Sequence, residues 1–278
     1  MKITIPLIAL LTMMGCVSPH GKLIATDGAN EIYQIDLRAP NEKTIIYKTR
    51  GIIGKITKVN DRTFIFDEFE WRKEPVIKQY GLDSGEVKTL GQGFEPTYLA
   101  GRNQIVFYRQ IPGSDRIHGF IFPNWDCWMM AADVGNLERF IRIMSIKGHK
   151  PPVIQISPDE ILFRVDHHVW IYNLLKSKDR GSNASEGFKP VLWREKTKEM
   201  LYDRGDFGFL LAPGYRSEKR CLWRLGGARD AVYIPDDDAM IYVKTAWEEP
   251  GDTYWYSFQY SWRTKIRTGG HRSAIWIP

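Results

Sequence analysis

The sequence of 278 residues lacks several motifs by which common enzyme classes are recognised. It has no His-Glu-x-x-His zinc motif, no Gly-x-Ser-x-Gly nucleophile motif and no glycine-rich phosphate-binding loop. Lysine and arginine exceed aspartate and glutamate by 39 to 33, but the charges are scattered and no run reaches five. Scattered charge is typical of a solvated surface, so the sequence predicts no nucleic-acid partner. It also predicts no metal site and no cofactor, and it favours a protein without catalytic activity.

The N-terminus carries an apolar run, Ile3 to Met14, that is shorter than the roughly 20 residues a membrane-spanning helix needs. Lys2 precedes the run, and Gly15 and Cys16 follow it directly. This arrangement resembles a bacterial lipoprotein signal, which is an export signal at the extreme N-terminus. The alternative is a buried first strand.

The resemblance to a lipoprotein signal divides the chain into a signal peptide at residues 1–15, a lipidated tether at 16–20 and a folded domain at 21–278. It implies cleavage before Cys16 and attachment of several acyl chains, such as palmitate, which together give stable anchoring. Val17, in place of the aspartate that retains lipoproteins in the inner membrane, implies the outer membrane, facing the periplasm. The four residues after Cys16, Val17 to His20, span at most about 14 Å, so we expect the domain to sit close to the bilayer.

A strand-turn-strand unit recurs along the folded domain. Apolar residues alternate in its first half and Asp, Asn, Gly or Pro fills its middle, which is the pattern of a β-hairpin. The unit starts are 32 to 56 residues apart, which suits propeller blades of about 40 to 50 residues. The copies are KITKVNDRTFIF from Lys55, TYLAGRNQIVFY from Thr97, VIQISPDEILFR from Val153, EMLYDRGDFGFL from Glu199 and AVYIPDDDAMIY from Ala231.

The two ends of the domain supply a sixth copy of the unit. AIWIP, from Ala274 to Pro278, and GKLIAT, from Gly21 to Thr26, rebuild it when they are placed end to end. Pairing the last strand with the first hides the open edges of a circular array of sheets. The sequence therefore predicts an all-β fold, a six-bladed β-propeller of four-stranded blades, closed by pairing of the C-terminal strand with the N-terminal blade.

Most hairpins are followed by two further predicted strands. Blade five shows no clear fourth strand after CLWRL. Third strands are predicted at 32–37, 77–86 and 170–175, and fourth strands at 44–48, 86–90, 137–143, 189–194 and 264–268.

Two hairpin motifs, ISPDE at 156–160 and IPDDD at 234–238, together with the outer strand YGLDSGEVKTL, resemble the TolB-like six-bladed β-propeller family. The resemblance covers almost all of the folded domain and implies scaffolding in the cell envelope. The chain has no room for the separate N-terminal domain of TolB, so we do not expect it to be TolB itself.

Three cysteines are present, and the lipoprotein resemblance assigns Cys16 to the lipid. Cys127 and Cys221 could form one disulfide in an oxidising compartment. They are predicted on third strands of blades three and five, which are not neighbours, whereas a disulfide needs Cα atoms within about 7 Å. The sequence therefore predicts two buried thiols.

Loops from second to third strands are predicted at 67–75, 109–126, 166–168, 214–220 and 247–252, and their length predicts a binding face. The insertion RQIPGSDRIHGFIFPNWD in blade three combines aromatic and cationic side chains, which dominate interface energetics. Its alternative role is a flap packed over the channel. The residues predicted to bind a ligand or partner are Trp71, Arg109, Arg116, His118, Phe122, Trp125, His167, His168 and Trp247.

Other polar and aromatic clusters have simple structural interpretations. Adjacent residues of a strand point to opposite faces, so His167 and His168 are not expected to bind one metal ion. Asp236 to Asp238 occupy a turn that the repeat requires. Tyr254, Tyr256, Phe258, Tyr260 and Trp262 are predicted on one side of a single strand, as packing between blades. Glu68, Glu70, Glu248 and Glu249 could supply paired carboxylates for glycoside chemistry.

These features predict a lipid-anchored propeller of the cell envelope. We expect a non-catalytic binding or scaffolding module that contacts a protein or another envelope component through its long loops. The alternative is a glycan-binding protein or a glycan-active enzyme that uses the same loops, because a fold does not fix a function.

Overall fold

The structure is a computed structural model that describes residues 19–110, 124–132, 141–147, 153–165, 168–181, 189–204, 207–211, 220–222, 228–244 and 251–278. Within these ranges the chain forms strands and no helix, and the strands make six antiparallel sheets of four. The predicted all-β propeller is confirmed.

The sheets follow one another along the chain, except that the first sheet also contains the last strand. Its strands, in spatial order, are β24 (Ser273–Ile277), β1 (Lys22–Thr26), β2 (Glu31–Asp36) and β3 (Lys43–Lys48). The second sheet has β4 (Ile52–Asn60), β5 (Thr63–Phe69), β6 (Val76–Gly81) and β7 (Val87–Gln92), and the third has β8 (Phe94–Leu99), β9 (Gln104–Gln110), β10 (Asn124–Ala131) and β11 (Ile141–Lys147). The fourth sheet has β12 (Ile154–Ser157), β13 (Glu160–Val165), β14 (His168–Asn173) and β15 (Lys178–Gly181). The fifth has β16 (Lys189–Arg194), β17 (Glu199–Arg204), β18 (Phe207–Leu211) and β19 (Arg220–Leu222), and the sixth has β20 (Ala228–Ile234), β21 (Ala239–Lys244), β22 (Thr253–Ser257) and β23 (Trp262–Arg267).

The first strand of each sheet, called its inner strand here, lies next to the inner strands of the two neighbouring sheets. The inner strands are β24, β4, β8, β12, β16 and β20, and they contact one another in that cyclic order. In the first sheet β24 runs antiparallel to β1, with Ile275 opposite Ile24 and Ile277 opposite Lys22.

Among the described residues, the hydrophobic core forms six clusters, and each of them lies between two neighbouring sheets. The cluster between the sixth and first sheets contains Tyr33, Trp255 and Trp276, and the one between the first and second contains Phe64 and Ile275. The remaining clusters join the second to the third sheet, the third to the fourth, the fourth to the fifth and the fifth to the sixth. Packing between sheets therefore stabilises each of these junctions.

The alternating direction of the strands places the connections on two opposite faces. Connections from second to third strands, and from one sheet to the next, lie on what we call the long-loop face. Connections from first to second and from third to fourth strands lie on the short-turn face. His20, which precedes β1, is on the short-turn face.

The fifth sheet differs from the prediction by one strand. Lys189–Arg194, predicted as the fourth strand of the preceding blade, is the inner strand β16. The unit from Glu199 therefore supplies the second and third strands, and β19 is the fourth strand that appeared to be missing. The predicted loop 214–220 consequently belongs to the connection between third and fourth strands, on the short-turn face.

The aromatic strand predicted from Thr253 to Trp262 is also wrong in extent. β22 ends at Ser257, and Trp262 begins the next strand, β23. A turn therefore separates Tyr254 and Tyr256 from Trp262, so the row of five aromatic side chains does not form. Trp255, on the other side of β22, is fully buried.

Cys127 lies on β10, the third strand of its sheet, and is a buried free thiol, as predicted. Burial raises the pKa of this thiol to about 12, so it stays protonated. Cys221 is on the fourth strand β19 and not on a third strand, and its side chain lies outside the described residues.

Candidate functional site on the long-loop face

The most exposed large apolar side chain in the described part of the chain is Trp71, which is 88% exposed. It lies between β5 and β6 in a turn closed by a hydrogen bond from Lys73 N to Glu70 O of 3.0 Å and by an ion pair between the same two side chains. Arg72 has a left-handed backbone (φ 63°), which costs a non-glycine residue about 1–2 kcal/mol. The turn thus exposes the indole ring to solvent, and Ile52, at the start of β4 on the same face, is exposed as well.

Glu68 lies under this turn and joins the first and second sheets. Its Oε2 atom accepts hydrogen bonds from Tyr47 OH and Lys78 Nζ, both at 2.9 Å, and its Oε1 atom accepts one from Thr49 Oγ1 at 2.7 Å. Burial opposes ionisation, but the hydrogen bonds from Lys78, Thr49 and Tyr47 prevail and lower the pKa of Glu68.

Of the four glutamates predicted for glycoside chemistry, the two that the structure describes, Glu68 and Glu70, both have partners within the protein. Glu68 lies on β5 and not in a loop, and both of its oxygens already accept hydrogen bonds within the protein. Glu70 is paired with Lys73. Glu248 and Glu249 lie outside the described residues.

Asp67 joins the inner strands of the second and third sheets near the long-loop face. Its carboxylate is fully buried and accepts hydrogen bonds from Lys55 N at 2.5 Å and Glu95 N at 3.1 Å. A Cβ atom on Gly54 would lie 2.6 Å from Asp67 Oδ2, so the close approach requires glycine. Burial raises the pKa of Asp67 to about 6, and the two backbone hydrogen bonds oppose this rise.

Lys55 extends this polar connection across the next two sheets. Its Nζ donates to Thr97 Oγ1 at 2.6 Å, and that hydroxyl donates to Val153 O at 3.4 Å. Burial lowers the pKa of Lys55, while the charges of Glu95 and Asp67 oppose the change. Sequence reasoning missed these residues because their partners come from different sheets. The one local signal is a charged residue, Asp67, directly after the apolar Phe64-Ile65-Phe66.

Two other predicted binding residues lie on the third sheet at its long-loop end. Arg109 Nε donates to Gln92 O at 3.0 Å, and its guanidinium lies 5.8 Å from the Phe107 ring. Trp125 contacts Phe94 edge-on, with ring centroids 4.6 Å apart, and packs against the core between the third and fourth sheets. Trp125 therefore supports the face from below, whereas Trp71 projects from it.

The remaining predicted residues cannot be placed in the same way. His168 begins β14, but its side chain is not among those described. Outside the described residues lie Cys16, Arg116, His118, Phe122, His167 and Trp247. In the described part of the chain, no group of three or more His, Cys, Asp or Glu side chains could hold a metal ion, and no helix is long and apolar enough to cross a bilayer.

Asp238, one of the three consecutive aspartates, has a structural role beyond its turn. It is buried on the short-turn face with a left-handed backbone (φ 47°) and accepts hydrogen bonds from Arg194 Nε at 2.8 Å and Nη2 at 2.5 Å. Tyr233 OH donates to the same carboxylate at 3.0 Å. This bidentate ion pair joins the inner strand of the fifth sheet to the sixth sheet.

Comparisons with solved structures show which known proteins share this fold. No family model and no curated protein matches this sequence. Among solved structures, the chain superposes on TolB from Acinetobacter baumannii with a TM-score of 0.71 at 12% identity, covering 93% of this chain and 67% of that one. It superposes on a protein from Agrobacterium tumefaciens assigned as TolB with a TM-score of 0.62 at 7% identity, covering 91% of both chains.

The chain has the fold of TolB-like β-propellers. A third structure, the β-propeller domain of the Trilobed protease from Pyrococcus furiosus, is more distant, with a TM-score of 0.50 at 7% identity over 75% of this chain and 69% of that one. At these identities the likeness establishes the fold and leaves the function to be argued from this chain.

Proposed function

We propose that this protein is a lipid-anchored cell-envelope propeller and a non-catalytic binding or scaffolding module, which binds a protein through its long-loop face. The observation that carries the proposal is Trp71, 88% exposed on a fixed turn of that face. Tryptophan is enriched among the residues that contribute most to protein interfaces, and holding it in one conformation lowers the entropy cost of binding.

The proposal includes a closed ring of six blades, each formed by one sheet. Its support is the cyclic contact of the inner strands and the hydrophobic cluster at each junction. Polar contacts add to this support. Ser273 Oγ accepts from Ile56 N at 2.8 Å between the first and second blades, and His271 Nε2 lies 3.0 Å from Asp230 O between the first and sixth.

The composition of the long-loop face favours a protein as the partner. Ile52 and Trp71 offer apolar area, and the exposed Arg72 and partly exposed Arg109 add cationic groups to the same face. Such mixtures of aromatic, apolar and arginine side chains are typical of interface centres. Because the oxygens of Glu68 are occupied, the described part of this face favours binding over glycoside hydrolysis.

The cellular location of the protein is proposed from its N-terminal sequence. The lipoprotein-like signal would place the lipid on Cys16 and the domain at the outer membrane, facing the periplasm. The resemblance to TolB-like propellers implies a role in the cell envelope, and the fold that this chain shares with the two TolB structures is compatible with that location.

Affinity capture from detergent-solubilised envelopes tests the binding proposal. The intact protein is compared with Trp71→Ser, with a variant whose residues 111–123 are replaced by a short Gly-Ser link that keeps β10 and Trp125, and with the control Tyr260→Ser, which alters an exposed ring on the opposite face. We expect specific proteins to be lost with the first two variants and retained with the control. Capture of no specific protein, together with retention of envelope glycans, would contradict the proposal and favour the glycan alternative.

A further inference from the structure

The N-terminal tether reaches the folded domain at one defined place. His20 O accepts a hydrogen bond from Trp276 Nε1 at 2.9 Å, and His20 Nδ1 lies 3.3 Å from Asp237 Oδ2. Gly21 has a left-handed backbone (φ 81°), and its carbonyl accepts from Leu37 N at 3.0 Å. These contacts hold the chain on the short-turn face, at the junction of the first and sixth sheets, from His20 onward.

Exposed aromatic side chains lie at the same junction. Tyr260 is 54% exposed and Trp262 is 39% exposed, in and directly after the turn between β22 and β23. The Trp262 ring lies 5.3 Å from Trp255, which belongs to the core between the sixth and first sheets. Trp262 is therefore fixed at its inner edge and open to solvent at its outer edge.

Exposed cationic side chains accompany these aromatic rings. Lys22, Arg38 and Lys43 are exposed at the short-turn end of the first sheet, with Asp36 and Glu42 among them. Tryptophan and tyrosine rings concentrate at the level of lipid headgroups because they are amphipathic, and lysine and arginine side chains reach the same region. The chemistry of this surface thus suits the interface of a bilayer.

We infer that the short-turn face of the first and sixth sheets rests on the membrane, so that the long-loop face points away from it. This inference rests on the proposed lipid anchor at Cys16. Cys16 and His20 are four residues apart and therefore at most about 14 Å apart, while His20 is fixed to the domain. The lipid bilayer is the occupant of this surface because the tether that would carry the lipid on Cys16 joins the domain beside it.

Two matched cysteine variants test the orientation. Ala39 and Ala29 are both exposed and lie in turns of the first sheet, Ala39 on the short-turn face and Ala29 on the long-loop face. Purified, lipidated Ala39→Cys and Ala29→Cys would each carry a fluorescent label in phosphatidylethanolamine and phosphatidylglycerol vesicles containing nitroxide-labelled lipid. The parent protein, treated with the same label, corrects for reaction at its native thiols.

We expect the lipid quencher to reduce fluorescence at position 39 several-fold more than at position 29. Replacing Tyr260 and Trp262 together by serine should reduce the quenching at position 39 while the protein remains on the vesicles. Equal quenching at both positions, or stronger quenching at position 29, would overturn the inference.

Flotation of the same samples separates this inference from the proposed function. Protein that floats with the vesicles but shows no preference for position 39 overturns the orientation and leaves the anchor in place. Protein that does not float, or that lacks lipid on Cys16 by mass spectrometry, overturns the anchor and the orientation together.

Discussion

Asp67 illustrates, at the scale of a residue, how a buried carboxylate links two inner strands at a cost to stability. Burial raises its pKa from 3.8 to about 6, so the folded state favours the protonated form. The contribution of Asp67 to stability is therefore greatest below about pH 4 and falls as the pH rises to about 6. A shift of about two units corresponds to about 3 kcal/mol.

Asp67→Asn removes this titration. We expect the free energy of unfolding of the wild type, relative to the variant, to fall by about 3 kcal/mol between pH 3.5 and pH 7, as measured by urea denaturation. The comparison with the variant is necessary because Glu68 has the opposite pH dependence. Its pKa is lowered, so its contribution to the stability of the fold is lost as the pH falls. Glu70→Gln, which alters a more exposed carboxylate, is the control. If the difference in unfolding free energy between the wild type and Asp67→Asn does not change with pH, the raised pKa does not belong to Asp67.

The ion pair between Arg194 and Asp238 is the second residue-scale prediction. Both side chains are buried, and each has a weaker second ionic partner, Glu199 for Arg194 at 3.1 Å and Lys196 for Asp238 at 3.6 Å. Breaking the main pair should therefore cost about 3 kcal/mol, the low end of the range for a broken buried ion pair. We expect Arg194→Met and Asp238→Asn each to lower the unfolding free energy by this amount, and the double variant to lose much less than the sum. Additive losses in urea denaturation would show that the pair does not act as a unit. Glu70→Gln breaks a more exposed pair and should cost no more than about 1 kcal/mol.

Some residue roles were visible in the sequence and others were not. Trp71 could be predicted on the long-loop face because its loop lies between two strands of clear alternation. The hydrogen bonds of Asp67 could not be predicted, because Lys55 and Glu95 are supplied by β4 and β8 and their distance depends on how the sheets pack.

At the scale of an element, β24 is the strand on which the proposed closure of the ring depends. Ile275 and Ile277 pack in the cluster between the first and second sheets, and Trp276 in the cluster between the sixth and first. Burying three such side chains contributes about 5–9 kcal/mol, which is comparable to the whole stability of a typical domain.

Deleting residues 274–278 should therefore unfold the domain cooperatively or lower its melting temperature sharply. The measurement is thermal unfolding followed by circular dichroism. Deleting the exposed Pro278 alone is the control and should change little. An unchanged melting temperature in the longer deletion would show that β24 does not hold the ring together.

The fifth sheet shows why the order of its strands could not be predicted from sequence. The units from Lys55, Thr97 and Val153 correspond to first and second strands, but the unit from Glu199 begins with a second strand. The sequence pattern of a strand, a turn and a second strand fits residues 189–204 as well as residues 199–211. Lys189–Arg194 resembles an outer strand because it begins and ends with a cation. Arg194 can be buried because it pairs with Asp238 in the sixth sheet and with Glu199 in its own, and the first of these contacts depends on how the sheets pack.

At the scale of the whole molecule, the proposed lipid anchor would determine where the propeller acts. Cys16→Ala should release the protein from the membrane fraction, because several acyl chains give stable anchoring and their loss leaves only weak surface contacts. Fractionation of cells with an immunoblot measures this, with Ser18→Ala as a neighbouring control that keeps the lipid site. Unchanged membrane association of Cys16→Ala would contradict lipid anchoring through this cysteine.

The whole architecture could be predicted better than the site. Turn chemistry and alternation repeat in every sheet, so they indicate an all-β propeller even where one unit is misplaced. A binding face depends on which side chains remain exposed after packing, as the contrast between Trp71 and Trp125 shows.

The most direct test of the central claim is site-specific photo-crosslinking in intact cells, with a photoreactive phenylalanine analogue at position 71 or at position 260. The account predicts a discrete adduct with an envelope protein from position 71 and none of the same mass from position 260. No protein adduct from position 71, or the same adduct from both positions, would contradict a partner-binding long-loop face.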